Sequence, residues 1–142
     1  MSAHRITLRP RYGEVDSMGI VYHAHYLVYF DQGRTELLRA LGMSYAEVER
    51  RGFRLAVVDA GVRYHSPARY DDELQLETHV ETLRGASVLF GYALRRGTEL
   101  LATGHTKLGC LDHDNRPCPL PAELRGLLHA GRIAPAAPSE SA

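Results

Sequence analysis

The sequence predicts an α+β domain in which an antiparallel sheet packs against one principal helix. Three observations predict this class: an alternating segment near the N-terminus, a long segment of helical periodicity after it, and four further strand patterns joined by short turns. The chain has 142 residues, 44% hydrophobic and 24% charged, which suits one globular domain. We expect this domain to occupy residues 1–131 and residues 132–142, which are rich in proline, alanine and serine, to be a disordered tail.

The first segment alternates between apolar and basic residues, which is the period of a half-buried strand. Ile6, Leu8, Pro10 and Tyr12 fall on one face of this strand, and arginines and a threonine fall on the other. Because proline cannot donate to a sheet ladder, Pro10 marks an edge strand or a bulge. The pattern therefore predicts an edge strand whose inward face includes Tyr12.

The period then changes to spacings of three and four, which predicts a helix from about residue 21 to residue 41. Its apolar stripe consists of Tyr22, Tyr26, Tyr29, Phe30, Gly33, Leu37 and Leu41. Gly42 follows as a helix terminator. Glycine inside a helix costs about 1 kcal/mol relative to alanine, so we expect Gly33 to permit close contact with a neighbouring backbone.

The rest of the chain consists mainly of strand patterns. Ser44 and Glu47 form a capping box for a short helix that ends near residue 51. Strands are predicted at residues 53–65, 74–82, 88–94 and 99–111, and a final short helix at residues 122–130. Residues 88–94 are apolar on both faces, and one helix cannot cover both faces of five strands. The pattern therefore predicts at least a dimer.

Charge and hydropathy exclude several classes of protein. Basic and acidic residues number 17 each, so no net charge attracts nucleic acid or an acidic membrane. No apolar run approaches the roughly 20 residues that cross a bilayer, and the N-terminus has no signal-peptide pattern. We expect a cytoplasmic protein with no nucleic-acid partner and no membrane insertion. Cys110 and Cys118 belong to no Cys-x-x-Cys pair, so we expect two inert thiols.

The segment from Tyr12 to Tyr26 contains the residues best suited to catalysis. Glu14 and Asp16 precede the predicted helix, whose first N–H groups lack an internal partner and carry the positive end of the helix dipole. Such donors stabilise a developing oxyanion, and Asp16 beside them would act as a general base or a nucleophile. The alternative interpretation is that Asp16 or Ser17 only caps the helix.

A metal site at His23 and His25 is disfavoured by helix geometry. Two residues apart on a helix, their rings point about 200° away from each other, whereas a metal needs ligands on one face. His65, His79, His105 and His113 are scattered and are interpreted as solvated or hydrogen-bonded histidines. Neither a phosphate-binding loop nor a Gly-x-Ser-x-Gly motif is present. We therefore expect no metal and no cofactor.

Four motifs in register carry a resemblance to a known family. They are Tyr12-x-x-x-Asp16-x-x-Gly19-Ile20-Val21-Tyr22-His23-x-x-Tyr26, Phe30-Asp31-x-x-Arg34-Thr35-Glu36, Tyr64-x-x-Pro67-Ala68-x-Tyr70-Asp71-Asp72 and Pro119-Leu120-Pro121-x-Glu123-Leu124. Over about residues 5–130 the chain resembles the hot-dog-fold thioesterases of the 4-hydroxybenzoyl-CoA thioesterase class. In particular it resembles the short acyl-CoA thioesterases associated with the bacterial Tol–Pal system.

The resemblance implies a hot-dog fold, in which a five-stranded antiparallel sheet wraps around one long helix, assembled as a dimer or tetramer. It implies hydrolysis of a small aliphatic or aromatic acyl-CoA, with a backbone N–H at the helix start polarising the carbonyl. The essential carboxylate, nucleophile or general base, falls at Asp16, and a histidine that assists or orients the thioester falls at His23. A tyrosine near the carboxylate falls at Tyr12, and Glu14 stands where the family often has Asp. Further candidates for substrate binding are Gly19, Ile20, Val21, Tyr22, Tyr26, Ser66 and Pro67.

Two other functions remain open at this point. A hydratase or dehydratase could use the same fold, although its helix motifs are not visible, and a non-catalytic module could bind acyl-CoA. The sequence does not determine the acyl group, the carrier (CoA or acyl carrier protein), or the choice between dimer and tetramer. Candidates for contact with the CoA phosphates are Arg69, Arg84, Arg95 and Arg96.

Overall fold

The computed structural model describes residues 3–132. The elements in chain order are β1 (His4–Leu8), a 3₁₀ turn (Tyr12–Glu14), α1 (His25–Leu41), α2 (Tyr45–Arg50), β2 (Arg54–Tyr64), β3 (Leu74–Leu83), β4 (Ser87–Arg96), β5 (Glu99–Leu111) and α3 (Ala122–Ala130). The strands form an antiparallel sheet in the order β1-β3-β4-β5-β2. The predicted fold class, five antiparallel strands with one long helix, is confirmed. The predicted tail lies outside the described residues, except Arg132.

The core lies between α1 and one face of the sheet. Alternate residues of β3 and β4 point into it and are fully or almost fully buried: Leu74, Leu76, Thr78, Val80, Val88, Phe90, Tyr92 and Leu94. Phe30 of α1 stacks on Tyr92 with ring centroids 4.4 Å apart. Gly104 on β5 makes room for this pair, because a Cβ there would lie 2.4 Å from the Phe30 ring. Phe30 thus packs against both Tyr92 and Gly104, and these contacts hold α1 against the sheet.

The long helix begins later than its periodicity predicts. α1 starts at His25 rather than near residue 21, because the residues before it are held by backbone pairing of another kind. The Val21 N–H donates to the Ala68 carbonyl at 2.8 Å, and the Tyr22 N–H donates to the Glu14 carbonyl at 3.0 Å. These bonds hold Val21 and Tyr22 out of the helix, and a turn at His23 and Ala24 then leads into it, which side-chain spacing alone does not reveal.

The other helix ends agree with the sequence. Gly42 ends α1 with a φ of 109°, a conformation that glycine adopts without strain. The Ser44 hydroxyl accepts the N–H of Glu47 at the start of α2, which is one half of the predicted capping box. The Glu47 carboxylate bonds to Arg50 and Arg51 instead of returning to the Ser44 N–H. Both signals act within a few residues, which is why sequence reasoning locates them well.

The two cysteines are free thiols, but they lie side by side. Leu111 and Pro117 pair across a hairpin that follows β5, and this places Cys110 opposite Cys118 with 3.5 Å between the sulfur atoms. Burial is the larger cause and the neighbouring Cys118 the smaller one, and together they raise the pKa of the Cys110 thiol to about 12. The sequence gives no sign of this proximity, because it arises from the register of the hairpin.

The face of the sheet opposite α1 carries a depression of about 720 Å³. Leu89 and Ala93 of β4, which predict burial on both faces, line it and are half-buried in the single chain. The predicted dimer or tetramer would cover this face, and it stays a prediction.

Gly33 lies where α1 packs closely against β3. A Cβ at this position would lie 2.4 Å from the Thr78 hydroxyl oxygen and 2.6 Å from a methyl carbon of Leu76. The predicted close contact is therefore present, but the prediction of a backbone neighbour is wrong. Side chains of β3 fill the space, because β3 presents its buried face to the helix.

Replacing Gly33 by alanine should lower the free energy of unfolding by about 1–2 kcal/mol. Overpacking costs about 1–3 kcal/mol, which outweighs the gain of about 1 kcal/mol in helix propensity. Urea denaturation measures the difference. Gln32→Ala, at an exposed position of the same helix turn, is the control and should change stability by only a few tenths. A Gly33→Ala protein more stable than wild type would contradict the close packing.

Candidate active site

A cleft of about 360 Å³ opens where the segment before α1 meets the end of β2. Its lining residues are Asp16, Ile20, Val21, His23, Tyr26, Tyr64, His65, Ser66 and Pro67. All of them except Tyr64 and His65 are candidates from the sequence. The fold therefore brings residues 16–26 and residues 64–67, which are far apart in the chain, to one place.

Three of the sequence candidates lie outside the lining. Tyr12 is 80% exposed, and its ring packs edge to face on Tyr70 with centroids 5.7 Å apart. The expectation of an inward tyrosine is wrong, because β1 ends at Leu8 and Tyr12 belongs to the 3₁₀ turn that follows. Tyr22 is about half exposed, and Gly19 contributes a φ of 78° to the turn beside the cleft.

Asp16 is held by a tight turn. Its carbonyl accepts the Gly19 N–H at 2.9 Å, and its own N–H donates to the Ile20 carbonyl at 2.9 Å. The carboxylate oxygen Oδ1 accepts the Met18 N–H at 2.8 Å, whereas within residues 3–132 no donor reaches Oδ2. One oxygen thus fixes the side chain, and the other is available to a reacting atom.

The interpretation of Asp16 or Ser17 as a helix cap is wrong. The residue at the N-cap position of α1 is Ala24, which has no side-chain oxygen to accept a hydrogen bond. Asp16 lies in a separate turn, whose backbone bonds close before the helix begins. Its carboxylate is therefore not committed to the helix.

Glu14 anchors the loop from the other side. Its carboxylate is buried and accepts hydrogen bonds from the Tyr29 hydroxyl at 2.8 Å and from the Arg11 backbone N–H at 2.9 Å. The Arg11 side chain lies at 3.1 Å, and His25 Nε2 at 3.4 Å. Burial alone would raise the pKa of Glu14, but the hydrogen bonds from Arg11 and Tyr29 outweigh it and hold the pKa below its ordinary value. The ionised carboxylate ties the loop to α1.

The opposite wall of the cleft, residues 65–68, is hydrogen-bonded to β5. The backbone N–H groups of His65 and Ser66 both donate to the Leu101 carbonyl, at 2.8 and 3.1 Å. Farther along this wall, the Tyr26 hydroxyl accepts the Ala68 N–H at 3.1 Å. The wall is therefore attached both to the sheet and to α1.

Arg96, a candidate for phosphate contact, has its guanidinium bonded to this wall and to two carboxylates. Its guanidinium donates to the Pro67 carbonyl at 3.2 Å and pairs with Asp72 at 2.7 Å and with Glu99 at 2.8 Å. Three acceptors hold it in place. Its observed role is to support the segment that carries Ser66 and Pro67.

The backbone at the start of α1 adjoins the cleft, because His23 is one of its lining residues. The first bond of the helix turn runs from the His25 N–H to the Tyr22 carbonyl at 2.9 Å. Within residues 3–132, no acceptor meets the N–H of His23 or Ala24. Because the positive end of the helix dipole is also there, the position suits an oxygen that gains negative charge.

Tyr64 and His65 are the lining residues that sequence reasoning missed. Tyr64 belongs to a matching motif, but its alternation places it on a strand and gives no role. His65 fits the interpretation as a solvated or hydrogen-bonded histidine, since it is exposed and its Nε2 lies 3.5 Å from the Thr103 hydroxyl, but that interpretation gave it no place in the site. Their position just before Ser66 and Pro67, at the end of a predicted strand, is the one signal that would have found them.

No group of three or more His, Cys, Asp or Glu side chains within residues 3–132 is arranged to hold a metal ion. None of the helices in this part of the chain has the length and apolar character that a membrane span requires.

Comparisons with known proteins identify relatives of the whole domain. The Thioesterase-like superfamily matches residues 10–128. The acyl-CoA thioesterase YbgC of Haemophilus influenzae is 34% identical over 124 residues, which are 86% of this chain and 91% of that protein. The crystal structure of the hypothetical protein TT1821 from Thermus thermophilus has a TM-score of 0.88 and 31% identity, covering 93% of this chain and 100% of that one. The DHNA-CoA thioesterase from Staphylococcus aureus has a TM-score of 0.82 and 28% identity, covering 94% and 97%.

Replacing Glu14 by glutamine keeps the shape of the anchor and removes its charge. Because the pKa of Glu14 in the folded protein lies below its ordinary value of 4.5, ionisation of Glu14 stabilises the fold above that pH. This contribution is lost as the pH falls through the folded-state pKa. We expect Glu14→Gln to be less stable at pH 7 by about 1–3 kcal/mol and the deficit to shrink towards pH 4.

Urea denaturation at pH 7, 5 and 4 measures this deficit. Glu49→Gln, at an exposed position of α2, is the control and should differ little from wild type at each pH. A Glu14→Gln deficit that is constant across the three values would show that the anchor does not depend on charge.

Proposed function

The chain belongs to the Thioesterase-like superfamily and is a thioester hydrolase, and from this premise we propose that it hydrolyses acyl-CoA in the cleft beside Asp16. One observation carries the proposal. The cleft is lined by a carboxylate with one oxygen without a hydrogen-bond donor among the described residues, and it adjoins backbone N–H groups without acceptors in the same part of the chain. Cleavage of a thioester needs these two features together, a base or nucleophile and a set of oxyanion donors.

The carbonyl oxygen of the thioester binds at the start of α1. There it accepts hydrogen bonds from the N–H groups of His23 and Ala24, which strengthen as negative charge develops in the transition state. The aligned peptide dipoles of the helix favour the same charge. These donors are part of the backbone and need little reorganisation during the reaction.

Asp16 acts on the carbonyl carbon by one of two routes. As a nucleophile it attacks the carbon, the C–S bond breaks, CoA leaves as the thiolate, and water then hydrolyses the mixed anhydride. As a general base it takes a proton from a water molecule that attacks the carbon directly. Both routes yield a carboxylic acid and CoA. Since carboxylate, backbone donors and water suffice, we propose that no metal or organic cofactor takes part.

His23 assists by orienting the thioester. Its ring lies in the cleft lining, next to the Tyr22 ring at a centroid distance of 4.5 Å. A side chain at this position is close to the backbone donors that receive the carbonyl oxygen. It therefore contributes to alignment of the thioester rather than to bond formation.

The acyl group is small and either aliphatic or aromatic. The volume of the cleft, about 360 Å³, is at the lower end of ligand sites, and Tyr26 and Tyr64 give it an aromatic wall. The Staphylococcus aureus relative is named for DHNA-CoA, and the Haemophilus influenzae relative for acyl-CoA in general. We propose that the protein works in the cytoplasm as a homo-oligomer, a dimer or a tetramer, with CoA as the leaving group.

Asp16→Asn should reduce thiol release by about 100-fold or more, because it removes the charge that both routes require. A thiol-reactive dye follows CoA release from a panel of aliphatic and aromatic acyl-CoAs. Asp114→Asn, which changes an exposed aspartate in the loop after β5, is the matched control and should retain wild-type turnover. Turnover of Asp16→Asn within a few-fold of wild type would contradict the mechanism.

The same samples distinguish the two routes and the alternative functions. A mass increase of acid-quenched protein equal to the acyl group indicates the nucleophilic route. Saturable binding of acyl-CoA without thiol release would indicate a binding module. Loss of the enoyl absorbance of an unsaturated acyl-CoA without thiol release would indicate a hydratase.

His23→Ala should lower kcat by about tenfold to 100-fold, because misplacement of a reacting group by about 1 Å can cost 100-fold. The backbone N–H of the residue remains, so the loss reports on the ring alone. His113→Ala, in an exposed loop, is the control. Unchanged kcat and KM in His23→Ala would remove the ring from the proposed site.

A further inference from the structure

The His23 carbonyl receives its hydrogen bond from a side chain and not from the helix. In a regular α-helix it would accept the N–H of Leu27, four residues on. Here the Leu27 N–H donates to the Ala24 carbonyl at 3.3 Å, so the first turn is wound more tightly. The Tyr64 hydroxyl donates to the His23 carbonyl instead, at 2.7 Å.

This bond acts on one of the N–H groups beside the cleft. The His23 carbonyl and the Ala24 N–H belong to the same planar peptide unit and point in opposite directions. Holding the oxygen therefore fixes the direction of the N–H. A donor on the oxygen also polarises the unit, and such cooperativity strengthens a hydrogen bond by about 10–30%.

The position of Tyr64 is fixed by strand pairing and by the Tyr26 ring. It is the last residue of β2, where it pairs with Ala102 of β5. Its ring meets the Tyr26 ring edge to face, with centroids 4.9 Å apart. Burial is the larger cause and the neighbouring Tyr26 the smaller one of a raised pKa of the Tyr64 hydroxyl. The hydroxyl therefore stays protonated and able to donate at neutral pH.

We propose that Tyr64 is a positioning residue for thioester hydrolysis, because its hydroxyl holds the His23–Ala24 peptide with its N–H directed at the thioester carbonyl. The inference rests on the proposed function, since the orientation matters only when a thioester oxygen binds there. Tyr64 acts through the peptide and not by contact with the reacting atoms. It links the end of β2 to the start of α1 at the point where charge develops.

Tyr64→Phe tests this by removing the hydroxyl while keeping the ring and its contact with Tyr26. We expect kcat to fall about tenfold, less than the 100-fold or more that follows loss of an oxyanion donor itself. KM should stay within about twofold, because the wall of the cleft remains. Tyr70→Phe is the control, since Tyr70 is an exposed tyrosine whose hydroxyl has no hydrogen bond within residues 3–132, and it should keep wild-type kcat.

A spectroscopic readout separates polarisation from a general loss of structure. We expect Asp16→Asn to bind acyl-CoA with little turnover, so the infrared stretch of a carbon-13-labelled thioester carbonyl can be recorded in the cleft. Adding Tyr64→Phe should raise its frequency, because a weaker donor polarises the carbonyl less. An unchanged kcat in Tyr64→Phe, an unchanged frequency, or a raised KM with wild-type kcat would each overturn the proposal.

Failure of the underlying function would look different. In that case the wild type releases no thiol, or Asp16→Asn keeps its turnover, and the inference about Tyr64 falls with it. Failure of the inference alone leaves Asp16-dependent thiol release intact in Tyr64→Phe.

Discussion

The buried carboxylate of Glu14 is the interaction on which the geometry of the site depends. A charge removed from water is tolerated only when donors surround it, and here the donors come from Arg11 on one side and from Tyr29 on α1. Glu14, which carries this charge, therefore also joins the N-terminal turn to the helix. Its backbone carbonyl accepts the Tyr22 N–H, so the same residue fixes both ends of the loop that contains Asp16.

A second attachment acts from the opposite side of the loop. The Val21 N–H bonds to the Ala68 carbonyl, and the Ala68 N–H bonds to the Tyr26 hydroxyl. The segment between the two attachments is short, and its turn is closed by Gly19. A catalytic side chain on such a loop is positioned nearly as well as one on a strand or helix, which is the usual requirement of a preorganised site.

Sequence reasoning succeeded where the determining interactions are local and failed where they are not. Alternation located β3 because this strand buries one face and leaves the other partly exposed, and Gly42 and Ser44 located helix ends because caps act within a few residues. The predicted start of α1 was wrong because the actual start depends on the hydrogen bond between Val21 and Ala68, which are far apart in the chain. Side-chain periodicity records burial and contains no information about backbone partners.

The same distinction applies to the site. The motif identified most residues of the cleft, because they lie close together in the chain or adjoin a strand end. Tyr12 was misplaced because a strand pattern was continued beyond Leu8, past the proline. Tyr64 was missed because its hydrogen bond to His23 depends on how β2 meets α1 in space. The proximity of Cys110 and Cys118 was missed for a similar reason, the register of a hairpin.

Two carboxylates that are only two residues apart can have separate roles because the structure supplies them with different numbers of donors. Glu14 is surrounded by donors, so its charge is neutralised locally and is unavailable for chemistry. Asp16 receives one backbone N–H, enough to orient it, and the part of the chain that the structure describes offers none to its second oxygen. A carboxylate saturated with hydrogen bonds is a weak base and a weak nucleophile. The surplus of donors at Glu14 therefore suits it to anchor the loop, and their scarcity at Asp16 suits that residue to the reactive role that we propose for it.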